Sequence, residues 1–332
     1  MGKPNIAFLT GGYSAEAEIS YKSALTIERN LDSEKYQVYK IDIRPDQWVF
    51  TDAEGSPFLV NKEDFSLDIH GERIRFDAVF IGIHGTPGED GKLQGYFDLL
   101  GIPYTSCDTT TSAITFNKRY TVAVAAASGF HVARSVHLFK QTYKAADASE
   151  VDLNFPVFVK PNNGGSSIGM SKVGEKSELE AAIEKAFLED DQVLIEEFIS
   201  GREFTIGVFR TQGKIVTLPF TEILSENDFF DFEAKYQGKS KEITPALCSD
   251  KIREQINSAA SGIYAVFNCR GVVRMDFIYQ EATSQPYLLE INTVPGQSAA
   301  SIVPQQVAAA GITLMEFYSM LIDEAMTVNP KL

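Results

Sequence analysis

The chain has 332 residues, room for about two domains with three within reach, and its 44% apolar and 23% charged residues are those of an ordinary globular protein. A formal net charge of −15 repels polyanions, so nucleic acid is excluded as a partner and only a local basic pocket for a small anion remains open. Three scattered cysteines, Cys107, Cys248 and Cys269, fit a reducing cytoplasm better than a disulfide framework. There is no signal-peptide pattern and no apolar run near the ~18 residues of a membrane span.

The first ~105 residues alternate strand and helix signals. Ile6–Leu9 is a short strand that breaks at Gly11-Gly12, and Ser14 is placed to cap a helix with Glu16 and Glu18 in its first turn. YQVYKIDI is a second strand. Ala78–Ile83, nearly all apolar, is a third, of the kind buried on both faces. The loop HGTPGEDG follows, then a helix with Leu93, Phe97 and Leu100 on one face. This alternation predicts a doubly wound, mostly parallel α/β sheet with ligands outside the carboxyl ends of its strands. GGYSAE and HGTPGED fall at such ends.

The next stretch, to Glu197, has α+β patterning. Lys118–Ser128 reads as a helix stopped by Gly129. The strand FPVFVK runs into the loop NNGGSSIG and the short strand MSKV. Ser177–Glu180 has the spacing of a capping box before a helix burying Leu179, Ile183 and Phe187. VLIEEFI is another strand, so Lys160 and Glu196 each close a strand. Beyond it, EFTIGVF and VTLPFTEI read as long antiparallel strands. Ser225–Cys248 is polar, aromatic and without period, a loop length that is usually functional. Asp250–Phe267 is an amphipathic helix, and Val272–Tyr279 with Pro286–Asn292 make a hairpin.

Several motifs fail. Gly165–Gly169 matches G-x-S-x-G, but a strand follows instead of a helix, and all four histidines precede Ser167, so a serine hydrolase is excluded. Gly238-Lys-Ser240 has Glu233 where a Walker loop needs glycine, and no G-x-G-x-x-G occurs. Histidines and cysteines show no zinc spacing.

One constellation succeeds. Residues i and i+2 of a strand share a face, so Glu290 aligns with Asn292 and Arg274 with Asp276. If the hairpin pairs them, one face presents two carboxylates, an amide and a guanidinium. Hard oxygen ligands of this kind suit Mg²⁺ carrying substrate phosphates, and Arg274 beside them would stabilise charge on a reacting oxygen. A solvated polar face is the alternative; four such groups in two apolar strands favour the site. Lys118, Lys160 and Lys235 are ordinary surface lysines taken singly. Lys160 stands apart because it ends an apolar strand just before a glycine-rich loop whose N–H groups can wrap phosphate.

The chain resembles the ATP-grasp ligases, and among them the D-alanine–D-alanine ligase family. The resemblance spans nearly the whole length and comes in order: GGYSAEAEIS, FIGIHGTPGEDGKLQG, GIPYTS, NKRYT, VFVKPNNGGSSIGMSKV, VLIEEFISGREFT, DFEAKY, RMDFIY and YLLEINTVPG. It implies an N-terminal substrate-binding α/β domain (1–105), a central ATP-grasp α+β domain (106–197) and a C-terminal ATP-grasp domain (198–332) with a lid at about 225–248. It implies ATP as substrate, two Mg²⁺ ions replaceable by Mn²⁺, D-alanine as the other substrate, a cytoplasmic homodimer and a product for the cell wall.

Residue by residue, the resemblance places Lys118 and Lys160 on the α- and β-phosphates. Ser166 and Ser167 belong to the loop over the phosphates, Glu196, Glu197, Phe198 and Ile199 lie at the adenine, and Glu203 at the ribose. Asp276, Glu290 and Asn292 become metal ligands, Asn292 also reaching ATP. Glu16 takes the first ammonium, with His84 near that substrate. The plainer role of Glu16 is to complement the helix dipole, and that of His84 is a structural loop histidine. Arg274 and the Gly296 N–H hold the oxyanion, and Ser301 with Ile302 takes the second carboxylate. Ser166 and Tyr236 belong to the catalytic set, and Lys235 and Tyr236 ride on the lid. Tyr236 favours D-alanine as the nucleophile where phenylalanine would favour D-lactate. The same fold with D-lactate or D-serine as acceptor, and a catalytically silent nucleotide-binding protein, are the rival readings. The chain departs from relatives at Glu197, where lysine is common, at Phe230 and Phe232, where tyrosines occur, and at Ile302, where leucine is usual.

Overall fold

The computed structural model describes residues 2–164, 168–225 and 240–327. Ser166, Ser167, Phe230, Phe232, Lys235 and Tyr236 lie outside the described residues, as does most of the expected lid.

The chain opens with β1 (Asn5–Gly11), α1 (Ala17–Asn30) and β2 (Gln37–Ile43), followed by the short strands β3 (Trp48–Thr51), β4 (Pro57–Leu59), β5 (Leu67–Ile69) and β6 (Glu72–Ile74). Strand β7 (Ala78–Ile81) and α2 (Lys92–Leu100) complete this part. The sheet order is β4-β3-β2-β1-β7. Strand β1 runs parallel to both β2 and β7, while β3 and β4 extend the edge in antiparallel fashion. Ile6, Phe8, Ala78 and Phe80 face one core and Ala7, Leu9, Val79 and Ile81 the other, as strands covered on both faces require. Four short strands between residues 48 and 74 carry no long periodic run and so were not expected. Helix α1 starts later than expected: Glu16, not Ser14, stands at its N-cap position, and the Ser14 hydroxyl accepts from the Glu16 N–H at 3.3 Å.

A helix unsignalled in the sequence, α3 (Thr109–Phe116), precedes α4 (Lys118–Ala127). Asn117 both ends α3 and caps α4, its side chain accepting the Tyr120 N–H. After β8 (His131–Val132) comes a four-stranded sheet made of β9 (Ser135–Phe139), β10 (Val157–Pro161), β11 (Ser171–Val173) and β12 (Gln192–Glu197), in the order β11-β10-β12-β9. Helix α5 (Ala145–Glu150) precedes β10. Helix α6 (Leu179–Ala186) covers the sheet with Leu179 and Ile183, and Phe187 follows into the same core. The expected capping box does not form. A 3₁₀ turn at Lys176–Glu178 intervenes and the Ser177 hydroxyl donates to Glu175 instead.

The third sheet is formed by β13 (Arg202–Thr211), β14 (Lys214–Thr217), β15 (Thr221–Ser225), β16 (Ser240–Ile243), β17 (Val272–Gln280) and β18 (Gln285–Asn292), and β8 joins its edge. The end of the expected lid is therefore β16, antiparallel to β15. Helices α7 (Asp250–Val266), α8 (Ile302–Ala309) and α9 (Leu314–Thr327) pack on the sheet. The hairpin forms in the predicted register, with Arg274 opposite Asn292 and Asp276 opposite Glu290, and a bulge follows Asp276.

Candidate active site

The carboxyl ends of β1 and β7 meet the exposed face of the β17–β18 hairpin around a cavity of about 350 Å³. From the N-terminal sheet come Glu16 and His84. From the hairpin and β13 come Arg274, Asp276, Glu290, Asn292 and Glu203. Gly296, Ser301 and Ile302 close the third side. Ten residues singled out in the sequence thus line one cavity, although up to 286 positions (16 to 302) separate them.

Arg274 organises the hairpin face. Its Nε donates to Asp276 Oδ1 at 3.0 Å and its Nη2 to Asp276 Oδ2 at 2.8 Å, and Nη2 lies 3.7 Å from Glu290 Oε1. The Thr205 hydroxyl donates to the same Asp276 Oδ1, because β13 places Thr205 directly opposite Asp276. Burial on its own would lower the Arg274 pKa. The charge and hydrogen bonds of Asp276, joined by Glu290, more than offset it, so the guanidinium is held more firmly charged than usual. Across the cavity, a Cβ on Gly85 would stand 2.3 Å from Glu16 Oε2. Only glycine lets that carboxylate lie against the loop, and the Gly85 φ of +65° requires it as well. Likewise a Cβ on Gly296 would reach 2.9 Å from Ser301 Oγ.

His84 is buried, and its Nε2 lies 3.0 Å from Ser23 Oγ on α1. The ring also bonds the Val294 backbone, and burial pushes its pKa down to about 4. The imidazole is thus neutral and serves as a clasp between α1 and the Val294–Gln297 stretch. Gln297 extends the clasp, its N–H donating to Ser23 Oγ at 3.1 Å and its side chain accepting from the Tyr318 hydroxyl at 3.2 Å.

Sequence reasoning passed over Glu89. Its Oε2 accepts the Gly85 N–H at 2.7 Å and its Oε1 the Val294 N–H at 3.1 Å. It therefore ties the HGTPGED loop to the segment bearing Gly296. Burial, then the nearby Glu16 charge, push its pKa up to about 8, so it carries a proton for much of the time at neutral pH. The signal was present, a second acid five residues after His84 in a strand-end loop. Thr205 was legible too, as the i+2 neighbour of Glu203.

The remaining residues sit on the four-stranded sheet. The Lys160 ammonium bonds the buried Glu196 carboxylate and lies 5.6 Å from the Phe158 ring centre. Burial opposes its charge, but Glu196 outweighs that and raises the pKa. Phe198 packs on Phe158 at 5.9 Å, with Lys172 over its other face. Lys118 Nζ reaches the Gly164 carbonyl at 2.5 Å, which sets it beside the glycine–serine loop. Glu197 points to the strand face opposite Glu196. Its Oε1 meets Arg134 Nη1 at 3.0 Å and accepts from Asn154. With Ile199 it lines a separate, open cavity beside Arg134 and Tyr287.

Among the described residues no group of three His, Cys, Asp or Glu side chains has metal-binding geometry. Here two carboxylates, Asp276 and Glu290, are joined by an amide. The Asn292 Nδ2 is buried with no partner among the described residues. That donor can meet a phosphate oxygen while the Asn292 Oδ1 is left for a cation. The set fits a hard cation that takes its other ligands from a phosphate substrate.

Two lysines beside a glycine-rich loop on one α+β sheet, with Lys160 in the field of Glu290 and Glu203 on the next, are the features of the ATP-grasp class. Family models agree. Residues 5–107 match the D-ala D-ala ligase N-terminus and residues 122–323 the D-ala D-ala ligase C-terminus. A D-alanine–D-alanine ligase of Flavobacterium johnsoniae is 45% identical over 319 residues, 96% of this chain and 98% of that one. That of Parabacteroides distasonis is 44% identical, with 98% of each covered. Among solved structures, the VanG D-Ala:D-Ser ligase from Enterococcus faecalis superposes with a TM-score of 0.87 at 32% identity, covering 98% of this chain and all of that one. The Bacillus anthracis D-alanine–D-alanine ligase complexed with ATP gives 0.79 at 29%, covering 99% of each. The chain belongs to the D-alanine–D-alanine ligase family.

Proposed function

We propose that this chain uses ATP to join two D-alanine molecules through a D-alanyl phosphate, supplying D-alanyl-D-alanine for peptidoglycan precursors. The observation that carries the reading is the Arg274–Asp276–Glu290–Asn292 face set opposite Glu16 in one cavity. Glu16 holds the ammonium of the first D-alanine and leaves its carboxylate free to attack the γ-phosphate. Arg274 and the Gly296 N–H stabilise the oxyanion of the acyl phosphate as the second amine attacks it. Ser301 and Ile302, at the start of α8, receive the second carboxylate where the helix dipole favours an anion. Lys118 and Lys160 hold the α- and β-phosphates, with Ser166 and Ser167 in the loop above them. Glu196 to Ile199 bound the adenine, Glu197 through its backbone alone, and Glu203 the ribose. Two Mg²⁺ ions, replaceable by Mn²⁺, would be held by Asp276, Glu290 and Asn292 and neutralise phosphate charge. Positioning and charge neutralisation are most of what such a transfer asks of a protein.

We read residues 1–105, 106–197 and 198–332 as the three units of the enzyme, with a lid near 225–248 carrying Lys235 and Tyr236 that excludes water on closing. Three principal sheets support the division. A cytoplasmic homodimer completes the proposal. Among the described residues no helix is long and apolar enough to cross a membrane.

The test is release of ADP and phosphate from MgATP with D-alanine, with L-alanine, and with D-alanine plus D-lactate or D-serine, products being identified by mass. D-alanine-dependent turnover to the dipeptide is expected. A mixed product in preference to the dipeptide overturns the acceptor assignment. Folded protein that binds MgATP yet turns over none of them overturns the activity.

A further inference from the structure

One acidic side chain of the cavity wall has no part in the chemistry above. Glu242 lies on β16, at the far edge of the sheet that carries Arg274 and Asp276. The pairings Ile278–Glu203, Glu203–Ile223 and Ile223–Glu242 run across that sheet in one row. Glu242 therefore shares the cavity-facing side with Glu203, three strand spacings of ~4.8 Å each from the hairpin. Its Oε2 accepts from Gln305 Nε2 at 2.9 Å.

Gln305 is on α8, and the same Nε2 donates its second hydrogen to the Ala300 carbonyl at 3.0 Å. Its backbone N–H reaches the Ser301 carbonyl at 3.4 Å. The turn it grips is itself closed, with the Ser301 N–H on the Ser298 carbonyl and the two serine hydroxyls each at 2.8 Å. One amide thus fastens the turn bearing Ser301 to the outermost strand of the catalytic sheet. The two acceptors use both N–H bonds of the amide, so neither can be lost without leaving a donor unmet.

We propose that Glu242 and Gln305 are positioning residues for the acceptor subsite, fixing Ser301 and Ile302 where the second amino acid's carboxylate binds. The inference rests on the acceptor role proposed for Ser301. The clasp acts on the second substrate alone, because the groups that hold the first, Glu16 and Arg274, hang on α1 and β17. The bond, not the charge, carries the effect: an amide oxygen at position 242 accepts from Gln305 as a carboxylate does.

The test measures initial rates against D-alanine concentration, resolved into the half-saturating concentrations of the two substrate sites, in wild type, Glu242→Ala, Gln305→Ala and Glu242→Gln. Both alanine variants should raise the second value about tenfold, the worth of one hydrogen bond, and leave the first and kcat within about twofold. Glu242→Gln should stay near wild type, and its thermal midpoint beside that of Glu242→Ala separates lost fold from lost positioning. Equal changes at both sites, no change in either, or a Glu242→Gln variant as impaired as Glu242→Ala each overturn the proposal. Absence of D-alanine-dependent turnover in the wild type would overturn the ligase reading instead, and so is told apart.

Discussion

The hairpin of the third sheet and the loops of the first hold charge in the shared cavity by different means. On the hairpin, side chains project from paired strands and neutralise one another: Arg274 grips Asp276 by two bonds and faces Glu290. In the loops after β1 and β7, acids sit against backbone instead, Glu16 on Gly85 and Glu89 on the N–H groups of Gly85 and Val294. One wall is built on a guanidinium held firmly charged by its carboxylate neighbours. The other is desolvated, and one of its acids is pushed up to about 8. A ligase that must hold phosphates on one side and an amino acid on the other has use for both. On the reading proposed above, the first wall, where carboxylates outnumber Arg274, would take phosphates together with cations, and the second would meet an ammonium with Glu16.

The largest effect should come from breaking the ionised wall. Arg274→Ala removes the donor proposed for the oxyanion and, among the described residues, leaves Asp276 with the Thr205 hydroxyl alone. Loss of a preorganised donor costs ~10²–10³ in rate, and an uncompensated buried charge ~3 kcal/mol or more. Single-turnover ADP formation and urea unfolding report the two losses separately. Arg274→Lys keeps the charge without the fork and should recover part of the stability but little of the rate. An alanine variant within tenfold of wild type in rate would show that the guanidinium serves the fold alone.

A smaller effect should separate the desolvated wall. The Glu89 carboxyl has a pKa near 8 in the folded protein against the ordinary 4.5, so the folded state keeps a proton that the unfolded chain releases. The stability it contributes is whole below the unfolded value and is lost as pH rises through about 8. His84, pushed down to about 4 from 6.5, has the opposite sign. Its contribution is present above 6.5 and is lost as pH falls toward 4. The two oppose each other below 6.5, and between 6.5 and 8 only Glu89 of this pair acts. At ~1.36 kcal/mol per unit, that interval is worth about 2 kcal/mol. Wild type should lose roughly that much urea stability from pH 6.5 to 8, and Glu89→Gln should show a flatter profile. Parallel profiles would mean that Glu89 is ionised throughout that range.

The two walls also differed in how far the sequence revealed them. Arg274, Asp276, Glu290 and Asn292 lie on strands whose period of two fixes facing, so one assumption, the hairpin, placed all four, and its register is as expected. The loop residues needed the fold. Nothing in HGTPGED tells which acid faces substrate and which is buried on backbone, and His84 turned out to be held at both its neighbours, Ser23 and Val294. Short elements were hidden for the same reason: β3 to β6 have three or four residues each, too few for a period to show. At residues 109–116 the four threonines are poor helix formers, and α3 is anchored by the Asp108 cap and by Thr111 on the Phe267 carbonyl, both invisible to propensity.

Glu197 gives the mildest test, because it asks on which side of a strand an acid lies. Lysine is usual here in relatives, and an acid at the adenine would change base recognition. In the structure β12 turns Glu196 toward Lys160 and Glu197 to the other face, where Arg134 and Asn154 take the carboxylate. Arg134 is 60% exposed, so the pair is screened by solvent and worth less than ~1 kcal/mol. Glu197→Gln keeps an acceptor for Asn154 and loses only the charge. The KM for ATP should stay within about twofold and the stability within ~0.5 kcal/mol, as for surface changes generally. A tenfold change in the KM for ATP, with D-alanine kinetics untouched, would place the Glu197 charge at the base after all, and would make the face of β12 opposite Lys160 part of the nucleotide site.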